Sequence, residues 1–337
     1  MRRVFTSLLV VVFAAVLLLF GAALWWLNEP IPLRLQPGSQ VVDLEIEPGT
    51  SANGVAEVIV ASGAEVPVLL LQVWFRLSGQ ARLIKAGSYE LVPGTTPRKL
   101  LSMLVRGEEA LKNVTLVEGW TFRQVRAALQ KSEQLAPDTI GLSPEMIMEK
   151  LGKPGVHPDG RFYPDTYTYA KGASDLAVLK RAARAMDTRL ATAWAQRSPD
   201  TPLKTPDQAL ILASIVEKET GKPADRPQIG GVFTNRLRIG MPLQTDPTVI
   251  YGLGTQFDGN LRKRDLQADT PYNTYTRVGL PPTPIAMPGK AALLAAVQPA
   301  PTSALYFVSR NDGSGSSHFS STLDEHNRAV NKYIRGQ

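Results

Sequence analysis

The chain has 337 residues, 44% of them hydrophobic, with 37 Lys and Arg against 30 Asp and Glu, a formal charge of +7. That length accommodates two or three domains, and the positive balance suits acidic partners such as nucleic acid, an anionic membrane surface or a carboxylate-bearing polymer. The absence of Cys excludes disulfides, zinc ribbons and thiol catalysis, and the three His (His157, His318, His326) fall in no metal-ligand spacing.

Residues 4–27, VFTSLLVVVFAAVLLLFGAALWWL, carry no charge. As a helix they reach about 36 Å, enough for a ~30 Å hydrocarbon core. Arg2 and Arg3 precede the run and Asn28 and Glu29 follow it, so the positive-inside rule puts residues 1–3 in the cytoplasm and everything after Leu27 beyond the membrane. Trp25 and Trp26 are placed for the far interface. The run exceeds a signal-peptide core of about 7–15 residues and lacks an A-x-A site. An uncleaved single-pass anchor is expected, with a linker at 28–40.

A strand, a Gly turn and a helix then recur three times: LEIEPGTSANGVAEVI (44–59), YELVPGTTPRKLLSML (89–104) and VTLVEGWTFRQVRAAL (114–129). Pro48-Gly49 and Pro93-Gly94 mark turns, and a Ser or Thr follows as N-cap. With the helical run EVPVLLLQVWFRLSG between the first two copies, residues 41–92 read strand, helix, helix, strand. That order resembles the LysM module, which holds N-acetylglucosamine polymers; a small spacer domain without a ligand site has the same order. Val68 to Leu71, Val73, Trp74 and Phe75 are expected in its core. The unit is taken as 41–112, leaving 113–337 as a larger α+β domain and an α+β class for the chain.

In that second domain, helical runs at 123–131 and 143–152 lead to FYPDTY (162–167), a turn flanked by aromatics, and to an amphipathic helix at 174–196 with Leu176, Leu179, Ala183, Met186, Leu190 and Trp194 on its apolar stripe. The next helix opens on Thr205-Pro206-Asp207-Gln208, a capping-box pattern with proline at N1, and closes at Gly221 and Pro223. Its interior, ILASIVEKET, is apolar nearly all round before Glu217 and Glu219. At 100° per residue Leu210, Ala213, Ser214 and Thr220 lie within about 60° of Glu217, while Glu219 projects about 160° away. A carboxyl on the small, apolar face is expected to be poorly solvated and suited to general-acid work; a buried ion pair with an arginine fits the same residues. Glu219, three residues before Lys222, reads as a helix-end ion pair.

After a helix from about Pro227 to Gly240 come MPLQTDPTVIYGLG (241–254) and TPYNTYTRVGLPPTPIAMPGKAAL (270–293), read as irregular loops. Long loops in a compact domain carry function. They offer Gln244, Asp246, Tyr251, Tyr272, Asn273 and Tyr275, a mixture of amide, acid and aromatic groups that suits a sugar's hydroxyls and apolar faces. Asp246, ahead of Pro247, is equally read as a turn former. A strand at 306–310, a Gly/Ser turn at 311–318 and a helix at 323–334 end the chain.

The strings ILASIVEKET, GVFTNRLRIGMPLQTDPTVIYGLG and PYNTYTRVGLPPTPIAMPG, with FYPDTY upstream of them, resemble the YceG-like family of endolytic murein transglycosylases, anchored in the bacterial inner membrane. One departure is Asp159-Gly160, where a Glu-Gly pair nearer FYPDTY is expected. The resemblance implies cleavage of the MurNAc–GlcNAc β-1,4 bond of peptidoglycan to leave 1,6-anhydro ends, with Glu217 as acid and then base and the six loop residues binding substrate. It implies no cofactor, no metal and no nucleic acid partner, a periplasmic catalytic domain, and association with glycan-polymerising synthases. A lysozyme-like muramidase, needing a second carboxylate such as Asp246, and a non-catalytic peptidoglycan-binding scaffold are the alternatives.

Overall fold

The computed structural model describes residues 2–35, 40–219 and 222–336. Gly221, expected to close the glutamate helix, and Thr220 lie outside the described residues. Two compact units are present, Met1–Lys112 and Asn113–Gln337.

The first unit begins with helix α1 (Arg2–Asn28), whose stretch Val11–Asn28 has a mean hydropathy of 2.2 and is long and apolar enough to cross a membrane. Strand β1 (Val42–Ile46), helices α2 (Ala52–Ser62) and α3 (Val68–Leu77), strand β2 (Gly87–Leu91) and helix α4 (Pro97–Arg106) follow. β1 and β2 pair antiparallel, from Val42 opposite Leu91 to Ile46 opposite Gly87. The order strand, helix, helix, strand is therefore as expected. Each turn is local chemistry: Gly49 and Gly94 adopt positive φ, and Ser51 and Thr96 cap the helices that follow by accepting the amides of Gly54 and Lys99.

Val42, Leu44 and Ile46 form one face of β1 and pack with Ile59, Leu71, Phe75, Leu91 and Leu104. The apolar run on α3 is only partly core: Leu71 and Phe75 are buried, but Leu69, Leu70 and Val73 are exposed because a two-layer unit covers one side of the helix. Of the two tryptophans read as interface anchors, Trp25 is exposed and Trp26 packs against this core.

The second unit contains β3 (Leu111–Thr115), α5 (Phe122–Lys131), α6 (Pro144–Lys150), β4 (Thr166–Ala170), α7 (Asp175–Ala195), α8 (Pro206–Glu219), α9 (Arg226–Arg238), α10 (Asp246–Leu253), α11 (Lys263–Gln267), α12 (Lys290–Val297), β5 (Tyr306–Ser309), β6 (Ser317–Ser320) and α13 (Leu323–Val330). β3 pairs with β4, and β5 pairs antiparallel with β6, Tyr306 opposite Ser320. Two expectations are corrected. The segment read as a loop at 241–254 is half helix, since Pro247 starts α10 in its first turn. The end of the Gly/Ser segment is β6, held by its register with β5 despite weak strand propensity.

Helices α8, α9 and α12 form the centre of this unit. Leu210, Leu212, Ile215 and Val216 of α8 meet Ile229 and Phe233 of α9 and Leu293, Ala296 and Val297 of α12. The close approach has a steric cause: a Cβ on Gly230 of α9 would lie 2.3 Å from the Ala295 carbonyl oxygen. This three-helix layer holds the end of α8, and its two glutamates, in place.

Candidate active site

Thr205 caps α8 by accepting the Gln208 amide at 3.2 Å, and Gln208 reaches back to the Lys204 amide at 2.6 Å, one residue earlier than in the expected reciprocal box. From Ala209 to Glu217 every residue is buried. The two acids then part, as the helical angle requires.

Glu217 is sealed. Its Oε1 accepts from Arg226 Nη2 at 2.9 Å and its Oε2 accepts the Gly289 amide at 2.8 Å, so α8 is tied to the first residue of α9 and to the N-cap of α12. The side chains of the pair are only 4% and 11% exposed. A carboxyl among merely small and apolar groups was expected; the ion pair, the other reading of the same residues, is what the fold provides. A second acid missed in the sequence stands near: a Cβ on Gly289 would lie 1.8 Å from Glu118 Oε1. Partial desolvation, and then repulsion from Glu217, push the Glu118 pKa above the usual carboxylate range.

Glu219 opens on a cavity of about 390 Å³, lined also by Arg236, Gln244, Asp246, Tyr275, Tyr306 and His326. The Thr245 hydroxyl donates to its Oε1. Burial, reinforced by the nearby Asp246 charge and opposed by the Thr245 bond and Arg236, raises its pKa from 4.5 to about 7. Asp246 Oδ1 accepts the Tyr275 hydroxyl at 2.5 Å, and burial together with that bond raises the Tyr275 pKa, keeping the phenol protonated. Lys222 donates to the Ser314 carbonyl at 3.2 Å and to the Ser316 hydroxyl.

The cavity wall is rigid for reasons far apart in the sequence. Arg236 of α9 donates to the Leu243 carbonyl at 2.6 Å and the Leu305 carbonyl at 2.7 Å, pinning the 242–245 segment to β5. Its guanidinium lies 5.4 Å from the Tyr306 ring centre, and the Tyr306 ring stacks on His326 at 5.2 Å. The buried Nδ1 of His326 has no partner among the described residues, and burial lowers that residue's pKa, favouring neutral imidazole.

The six loop residues thus separate. Gln244, Asp246 and Tyr275 join Glu219, not Glu217. Tyr251 and Tyr272 line another cavity, about 700 Å³, with Arg123, His157, Asp159 and Lys218. Their rings meet edge-on at 4.9 Å, and the Tyr251 hydroxyl donates to Asp159 Oδ2 at 2.5 Å. Asp159 is thereby the structural partner of Tyr251 and of the Phe122 amide. Asn273 reaches neither cavity. It is fully buried, its Nδ2 spans the carbonyls of Asp265, Leu266 and Ala268, and its Oδ1 accepts the Tyr275 amide at 2.9 Å. It shapes the loop that presents Tyr275, so its expected sugar contact is corrected to a scaffolding one.

The YceG-like family model matches residues 44–332. A Bacillus subtilis protein named endolytic murein transglycosylase is 31% identical over 337 aligned positions, covering 94% of this chain and 91% of that protein. A Streptococcus pneumoniae protein of the same name is 27% identical over 286 positions, covering 75% of this chain and 51% of that relative. The crystal structure of a yceG-like protein from Listeria monocytogenes superposes with a TM-score of 0.53 at 27% identity, over 86% of this chain and 98% of that one. With the family match spanning both units and the full set of cavity-lining elements, this chain belongs to the YceG-like family.

Proposed function

We propose that this chain is a peptidoglycan lytic transglycosylase that cuts within glycan strands, with Glu219 rather than Glu217 as its acid. The enzyme class follows from family membership and from the two curated relatives named endolytic murein transglycosylase. The observation that carries the choice of acid is the Glu219 carboxyl facing a cavity with its pKa raised to about 7, while both oxygens of Glu217 are committed to Arg226 and Gly289. A general acid must hold its proton near working pH and reach the substrate. Glu219 faces a cavity and has a raised pKa.

In the reaction, neutral Glu219 gives its proton to the glycosidic oxygen as the C1–O bond breaks. The muramic C6 hydroxyl oxygen closes on C1, its proton passes to the Glu219 carboxylate, and the acid is restored without consuming water. Asp246, held by Tyr275, is the carboxylate near the developing positive charge at C1. Gln244, exposed on a left-handed backbone turn with φ of 50°, offers its amide to sugar substituents.

Helix α1 serves as the inner-membrane anchor with a cytoplasmic N-terminus, the rest of the chain lying in the periplasm. The unit containing β1 and β2 is the LysM-like glycan-holding module, and glycan-polymerising synthases are its membrane partners. A muramidase is the second reading, because two carboxylates, Glu219 and Asp246, share one cavity. Mass spectrometry of strands cut by the purified full-length chain separates them. Anhydro ends, lighter than reducing ends by one water, are expected, and reducing ends alone would overturn the transglycosylase assignment. If Glu217→Gln, folded by circular dichroism, abolishes cleavage while Glu219→Gln retains it, the choice of acid falls.

A further inference from the structure

The cavity beside Lys218 takes no part in the proton transfers above, yet it adjoins them. Helix α10 divides the two: Asp246 lines the smaller cavity and the next residue, Pro247, lines the larger. Likewise Glu219 and Lys218 are consecutive. The two cavities are thus lined by consecutive residues at two places, Lys218 and Glu219 on α8 and Asp246 and Pro247 on α10.

The charges of that cavity do not cancel internally. Asp159 is engaged by the Tyr251 hydroxyl at 2.5 Å and the Phe122 amide at 2.6 Å, with His157 Nδ1 at 3.7 Å. Lys218 reaches only the Gly119 carbonyl, at 3.4 Å, and neither Lys218 nor Arg123 has a carboxylate partner among the described residues. Both are exposed. The same cavity is lined by the rings of Tyr251, Tyr272 and Phe257. At about 700 Å³ against about 390 Å³, this cavity is the larger of the two.

We propose that this cavity binds the carboxylate-bearing peptide branch of the glycan, with Arg123 and Lys218 pairing its carboxylates and the tyrosine rings taking its small apolar side chains. The inference rests on the peptidoglycan reading above. Bare alternating amino sugars joined to peptide through the lactyl group carry no anion, so two unpaired cations have no function toward the sugar backbone alone. An acidic peptide with alanine methyls matches both the charge and the rings.

Calorimetry on the full-length Glu219→Gln chain tests this with a free alanine-containing peptide bearing two carboxylates, its fully amidated counterpart, and inorganic pyrophosphate. The acidic peptide is expected to bind, and amidation or the Arg123→Ala/Lys218→Ala pair to weaken it by about a hundredfold, the loss of two charge-assisted contacts at about tenfold each. Equal binding of the two peptides, or an unaffected double variant, overturns the proposal. So does binding of pyrophosphate with no binding of the peptide, which assigns the cavity to a phosphate-bearing strand end. In a parallel assay the unsubstituted enzyme is expected to cleave strands with intact peptides with higher kcat/KM than strands whose peptide carboxylates are all amidated, and the double variant to lose that preference. Equal cleavage of both strands sinks the peptide site while leaving Glu219 as the acid. Cleavage of neither sinks the enzymatic reading, and calorimetry then decides the peptide site alone.

Discussion

The two faces of α8 at its C-terminal end carry the same side chain two residues apart and give it opposite surroundings. Glu217 meets a guanidinium and a backbone amide with almost no solvent; Glu219 meets a hydroxyl, a second carboxylate and a cavity. A buried carboxylate with complete partners is a clamp, whereas one that burial and a like charge have made reluctant to ionise is a proton donor. The surroundings of the two acids are set by what comes from α9, α10 and α12, not by the helix that carries them.

The sharpest break of that comparison is Glu219→Gln. Loss of a positioned general acid removes about 10²- to 10⁴-fold in rate, so strand cleavage is expected to fall by that factor with unchanged thermal unfolding. The measurement is anhydro-end release by mass spectrometry beside a melting curve. Cleavage within threefold of the parent protein, about the scatter of single-contact effects, would return the acid to Glu217.

Glu217→Ala reverses the profile. Removing one member of a buried ion pair leaves Arg226 uncompensated and costs about 3–5 kcal/mol, read as a large fall in melting temperature. Replacing Arg226 by Met as well is expected to recover most of it, since the unpaired charge goes too. If Glu217→Ala melts like the parent, the clamp description is wrong.

The pH dependence reports on Glu219. Glu219 titrates at about 7 in the fold against 4.5 ordinarily. Between those values the folded chain holds a proton that the unfolded chain has released, so stability falls as pH rises through this window. The contribution is fully present below 4.5 and gone above 7. Glu219→Gln is expected to flatten that part of the stability profile, and kcat in the parent to decline on the alkaline side with an apparent pKa near 7. An unchanged slope in the variant would show that another group titrates there.

How far the sequence exposes this site depends on the range of the interaction. The start of α8, the three strand–turn–helix copies and the long apolar helix are legible because caps, Pro-Gly turns and periodicity are local. Helical geometry also separates Glu217 from Glu219 correctly. It does not disclose the partners of Glu217, because apolar neighbours on one helix say nothing of Arg226, nine residues on, or Gly289, 72 residues on. Asn273 is misread for the same reason: a polar residue in a tyrosine-rich loop looks like a sugar contact until its amide is seen spent on three carbonyls. Helix α10 escapes notice because eight residues with Pro, Thr, Val and Ile carry little helical signal of their own.

The smallest expected effect concerns the support of Asp246. Tyr275→Phe deletes one hydroxyl, the donor to Asp246 Oδ1, and leaves the ring that lines the cavity. A hydrogen bond to a charged group contributes about 1.5–3 kcal/mol, but Asp246 is exposed and water can replace the phenol. A fall in kcat of about threefold to tenfold is therefore expected, about 0.7–1.4 kcal/mol and so below that energy range. Its direction is diagnostic. If Asp246 stabilises charge in the transition state, kcat falls and KM stays. If Tyr275 merely holds substrate, KM rises and kcat stays, and Asp246 loses its place beside Glu219 in the mechanism.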